Sequence, residues 1–162
     1  IHLAVNMFAL WVIGRDTELV LGRARYLSVY LVSILGGSAA VMFMETGAVT
    51  AGASGAVFGL LGAQAVILLR LRRSPAPVLT IVGLNVIISI TIPGISLWGH
   101  LGGLVAGAAA TAALLYAPQY LGAGTDRDRI VRTGWIALVA VVAVTLVAIV
   151  LAVVRLRDQL GV

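Results

Sequence analysis

Residues 50–63 read TAGASGAVFGLLGA. The segment carries no charge. Its glycines and alanines let another helix approach closely, while Val57, Phe58, Leu60 and Leu61 suit apolar surroundings on the other sides. A helix of this kind is built for a bundle in lipid. One hydroxyl stands in the middle, at Ser54, and the residue is either one more small packing residue or a nucleophile.

The flanking sequence supplies the membrane. Of 162 residues, 61% are hydrophobic and 10% charged, where a soluble domain carries about 25% charged residues. Mean hydropathy is +1.12. Uncharged runs cover 1–14, 26–44, 54–69 and 134–154, and 74–120 carries no charge apart from His100. That run is too long for one span, and TIPGIS at 91–96 breaks it with Pro93 and Gly94. The pattern predicts an all-α, polytopic membrane helix bundle of six segments, with helices over 77–92 and 98–116 either side of the break. Polar links are expected at 15–25, 70–77 and 118–132. Fourteen helical residues span about 21 Å against a hydrocarbon core of roughly 30 Å. The first segment is therefore expected to be truncated, with residue 1 inside a helix that began earlier.

All positive charge comes from arginine, since the chain has no lysine; the formal net charge is +5. Nine of the eleven arginines fall in the links 15–25, 70–77 and 118–132, and none in the loops 45–53 and 92–97. Arginine marks the cytoplasmic side. Arg155 and Arg157 in the tail are a mild exception. Clusters between apolar runs speak for topology and against a nucleic-acid partner, despite a pI of 10.8. The absence of cysteine excludes disulfides and thiolate metal sites. In this orientation Ser54 starts a helix from the outer face, His100 lies near the outer start of its own, and His2 and Asn6 sit in the outer part of the first segment. All four are expected at one depth.

His100 shares a helical face with Gly103 and Gly107 in GHLGGLVAG (99–107), and Ser54 is followed by Gly55, Gly59 and Gly62. Two glycine faces imply a tight crossing that would bring Ser54 and His100 together. His2 and Asn6, at i and i+4, can aim at one point and supply hydrogen-bond donors to an oxyanion. Taken singly, each residue has an ordinary use: Ser54 as packing, His100 as a buried hydrogen-bonded histidine or proton relay, and His2 and Asn6 as interhelical hydrogen bonds. Their shared depth on helices built to touch favours chemistry. A triad would also need a carboxylate behind the histidine. Asp16, Glu18, Asp126 and Asp128 fall on the arginine side, Asp158 in the tail, and Glu45 at the far end of its loop from Ser54. A Ser54–His100 dyad is the economical reading.

These residues resemble the rhomboid intramembrane serine proteases. GASGAVFG (52–59) is similar to the family's G-x-S-G motif, GHLGGLVAG to its histidine followed by glycines three and seven residues on, HLAVN (2–6) to its H-x-x-x-N helix, and ELVLG (18–22) to its Glu/Gly link. The resemblance covers residues 1–117. It implies a serine endopeptidase that cleaves transmembrane segments of membrane proteins. Ser54 would be the nucleophile, His100 its base, and His2 and Asn6 oxyanion donors. Gly52, Gly55, Phe58, Gly103 and Gly107 would pack the site, with Phe58 at the aromatic position near the histidine. It implies no cofactor or metal, transmembrane proteins and lipid as partners, and a multi-pass protein of the bacterial plasma membrane with its site toward the outer face. The organisation expected is a core over 1–117 that opens on the H-x-x-x-N helix, without the helix and long outer loop that precede it in the family, then a cytoplasmic link over 118–132 and an additional transmembrane helix with tail over 133–162. Helix 77–92 would be the family's gate. Two other readings remain: a rhomboid-like protein that binds membrane clients without cleaving them, and a transporter or channel using His100 and His2 as a proton relay. The first normally lacks the serine or histidine, both present here. The second normally shows acids within the spans, and these spans have none.

Overall fold

The computed structural model describes residues 2–45 and 53–161, without the side chains of His2, Leu3 and Leu160. The described residues form six helices and no strand: α1 (His2–Leu21), α2 (Arg23–Met44), α3 (Ala53–Arg70), α4 (Ala76–Thr91), α5 (Leu97–Tyr120) and α6 (Arg127–Leu160). α2, α3, α5 and α6 are long and apolar enough to cross a membrane, and α4 is a shorter apolar helix. Exposed Phe8, Trp11, Ile90, Val105, Val139 and Val144 give the bundle an apolar outer surface. Lipid satisfies such a surface, and helices meet the requirement that every backbone group in lipid be bonded internally. The protein is an integral, multi-pass membrane protein.

The link expected at 15–25 is not a loop. α1 runs through Arg15, Asp16 and Glu18 to Leu21, and Gly22 alone separates it from α2. Gly22 sits at φ +80°, where a side chain would be strained. Its N–H donates to Glu18 O (2.8 Å) and closes α1, while its carbonyl accepts from Tyr26 N–H (3.0 Å) and opens α2. Charges at the end of a membrane helix reach the interface on their stems, so they need not end it. The link expected at 118–132 likewise narrows to 121–126. α5 continues to Tyr120, and α6 starts at Arg127 on an Asp126 cap that accepts from Asp128 N–H (2.9 Å) and Arg129 N–H (3.3 Å). The Pro-Gly break separates α4 from α5 where the sequence places it.

α3 and α5 run side by side in the same direction and touch through glycine. A Cβ on Gly103 would run into the Gly55 carbonyl, and one on Gly107 into the Gly59 carbonyl. α2 runs the opposite way against the same pair. A Cβ on Gly37 would come 2.8 Å from Gly99 O, and one on Gly36 would meet Ala106. Three backbones therefore converge around Gly37, Gly55 and Gly99. Farther along, toward the arginine-rich end, the space fills with Val29, Val32, Leu60, Ala63, Ala110 and Leu114. Arg70 ties that end together, stacking over Tyr116 and donating to Gln119 Oε1 (3.2 Å). α4 stands outside the glycine crossing, packing Val78 and Val82 against Phe58 and Leu61 of α3.

Candidate active site

A cavity of about 500 Å³ opens at the end of the bundle away from most of the arginines, walled by α1, α3, α4 and α5. Asn6 of α1, Ser54 of α3, Asn85 and Ser89 of α4 and His100 of α5 all line it, among apolar residues such as Val5, Ile81 and Ile88. Each reaches the cavity for a local reason. Ser54 is the second residue of α3, so its N–H has no carbonyl one turn back within the helix. Phe58 lies one turn further along the same face. Its ring stacks on the His100 imidazole, with centroids 4.0 Å apart and planes 6° from parallel. The crossing at Gly55 and Gly103 sets that spacing, because the residues bearing Ser54 and His100 flank the contact.

His100 is buried at 6% exposure and Asn6 at 7%, while Ser54 is half-buried. The structure thus brings Ser54, His100, Asn6 and Phe58 to one cavity. His2 belongs to α1, but its side chain lies outside the described residues, as does all of Gly52. Gly55, Gly103 and Gly107 sit on the crossing itself.

Two contacts escaped the sequence reading. Ser89 Oγ lies 2.8 Å from His100 Nδ1. The signal available was a pair of polar residues, Asn85 and Ser89, one turn apart in a helix whose other polar side chains are the threonines Thr80 and Thr91. The second contact involves Glu45. Its Oε2 accepts from Ser96 Oγ (2.6 Å), and Ser96 Oγ in turn accepts from Gly99 N–H (2.9 Å) as the N-cap of α5. The carboxylate therefore holds the start of the helix that carries His100 and acts on the cap. A serine directly before an apolar helical run is a cap signature, but nothing in the sequence paired it with Glu45.

The family model of the Rhomboid domain matches residues 1–117. The chain is 38% identical to rhomboid protease GluP of Bacillus subtilis over 118 residues, covering 70% of this chain and 23% of that protein. It is 35% identical to RHOMBOID-like protein 4 of Arabidopsis thaliana over 126 residues (74% and 32%). It is 30% identical to rhomboid-type serine protease 2 of Emericella nidulans over 149 residues (85% and 28%). The chain thus spans between a fifth and a third of the length of these relatives. No solved structure matches it. On the match to residues 1–117 and these relatives, the chain belongs to the rhomboid family.

Proposed function

We propose that the chain is the catalytic core of an intramembrane serine endopeptidase that cleaves transmembrane segments, with Ser54 as nucleophile and His100 as general base. One observation carries the reading: Phe58, one turn from Ser54 on the same face of α3, stacks on the His100 ring inside a cavity that both residues line. Ser54 Oγ attacks the scissile carbonyl carbon as its proton passes to His100. The C–N bond then breaks, and His100 gives that proton to the departing amine. Water, losing a proton to His100, attacks the acyl carbon; the ester C–O bond breaks, the acid leaves, and His100 returns the proton to Ser54 Oγ. The oxyanion formed in each half-reaction would be met by the Asn6 amide, by His2 and by a backbone N–H of the first turn of α3, which has no carbonyl partner within the helix. No aspartate or glutamate lines the cavity among the described residues, which supports a dyad.

The arginine distribution supports a cavity that opens toward the outer face of the membrane. α4 supports access from the lipid on its own side, since Ile81, Ile88 and Ile92 of that region wall the cavity and few α4 side chains are buried. A substrate helix would have to unwind there to expose a carbonyl. Fluorophosphonate labelling of the full-length protein tests the assignment. Wild type is expected to label, Ser54→Ala not at all, and His100→Ala at least about 100-fold more slowly, the scale of general-base catalysis. Labelling of Ser54→Ala at the wild-type rate removes the nucleophile. A folded protein that never labels leaves a client-binding member of the family.

A further inference from the structure

The Ser89 hydroxyl makes two short contacts: to Asn85 O at 2.7 Å and to His100 Nδ1 at 2.8 Å. A serine hydroxyl has one proton to give, and a backbone carbonyl can only accept. The proton is therefore committed to Asn85 O, and the oxygen faces His100 as an acceptor. Nδ1 must then carry a hydrogen, and the lone pair of the neutral imidazole is left on Nε2. We propose that Ser89 is a positioning residue that locks His100 in the Nδ1–H tautomer and so makes Nε2 its basic nitrogen. This rests on the reading of Ser54 and His100 as nucleophile and base.

The lock and the stack divide the work. Phe58 holds the face of the ring, and Ser89 holds one edge. Together they leave the imidazole neither free rotation nor free choice of tautomer. A base that must take a proton from a serine needs both fixed in advance, because each wrong tautomer or orientation is a non-reactive population. A carboxylate does the same work in a triad and adds a full charge. Ser89 supplies the orientation without burying a charge in lipid, where charge is costly. The hydrogen bond from Nδ1 also persists after Nε2 is protonated and strengthens once the donor is cationic.

Nitrogen-15 NMR of the histidine-labelled, full-length protein reads the tautomer directly, at a pH where His100 is neutral, with His100→Gln identifying its signal. Wild type is expected to show a protonated Nδ1 and a bare Nε2. Ser89→Ala is expected to show a mixture of tautomers and to label with fluorophosphonate roughly two- to tenfold more slowly, the worth of one net hydrogen bond. Ser89→Thr keeps the hydroxyl and is expected to restore both. A wild-type proton on Nε2 overturns the proposal, and that measurement needs no variant to fold. An unchanged tautomer or an unchanged labelling rate in Ser89→Ala overturns it as well. Failure of the underlying dyad would look different, because Ser54→Ala would then label like wild type whatever the state of the His100 ring.

Discussion

A methyl group at Gly103 would run into the carbonyl of Gly55, and neither atom belongs to a side chain that can swing away. Gly103→Ala is therefore expected to push α5 off α3, at an overpacking cost of about 1–3 kcal/mol. It should also draw His100 away from Phe58. Thermal unfolding in detergent should fall by several degrees, with fluorophosphonate labelling reduced beside it. Gly83 on α4 is the matched control, since a Cβ there meets nothing within 4 Å. Gly83→Ala should leave unfolding unchanged or raise it, because alanine is the better helix former by about 1 kcal/mol. If the two substitutions behave alike, close approach at the crossing is not what sets the stability. The spacing of small residues made this contact legible, since glycines at i+3 and i+7 from His100 have one face to share. Ser89 was not legible in the same way. A serine in a membrane helix ordinarily bonds the carbonyl four residues back, as Ser89 also does with Asn85. A helix apolar on every side gives no period from which to read its inward face.

At the scale of the elements, ends are decided by hydrogen bonds that composition does not display. α3 closes through Arg72 N–H to Leu69 O (3.0 Å) and Arg73 N–H to Leu68 O (2.8 Å). This pairing puts Arg72 in the left-handed region, at φ +55°. Glycine is the usual occupant of that position. Arg72→Gly should relieve the strain and stabilise the fold by about 0.5–1 kcal/mol, seen as a higher unfolding temperature with labelling of Ser54 unchanged. A lower unfolding temperature would mean that the Arg72 side chain matters more than its backbone. The same distinction explains the misread link at 15–25. Arginine and acid residues locate the membrane interface correctly, but a helix crosses an interface freely, and the turn falls instead at the one glycine whose positive φ permits it. The Pro-Gly break was legible because proline removes the N–H that a continuing helix needs.

For the whole molecule, the cavity and the crossing belong to α1 through α5, and α6 lies apart from both. No described residue of α6 lines the cavity of Ser54 and His100. Among the described residues, α6 touches α2 and α5 only. Even there the packing is open, for a groove of about 720 Å³ runs between α6 and the α2–α5 pair, lined by residues such as Gly36, Ala40, Gly102, Val144 and Ala148. Val139, Val147 and Val150 of α6 are exposed and line no part of that groove. In water, removing such a helix would uncover apolar surface at high cost. In a bilayer, acyl chains take its place, so the loss is one of packing alone. Cutting the protein within 121–126, with a specific protease site inserted in that loop, should therefore leave α1 through α5 folded. The unfolding temperature is expected to drop modestly, and Ser54 labelling to stay within about twofold, the range of a change remote from the site. The link's arginines, Arg127, Arg129 and Arg132, all stay with the α6 piece, while the core keeps Arg15, Arg23, Arg25, Arg70, Arg72 and Arg73, so each piece keeps its anchor at the same interface. Loss of labelling after the cut, with helical content preserved, would show that α6 holds α5 in register for His100 through the Leu114–Gly134 contact, where a Cβ on Gly134 would come 3.0 Å from the Leu114 carbonyl.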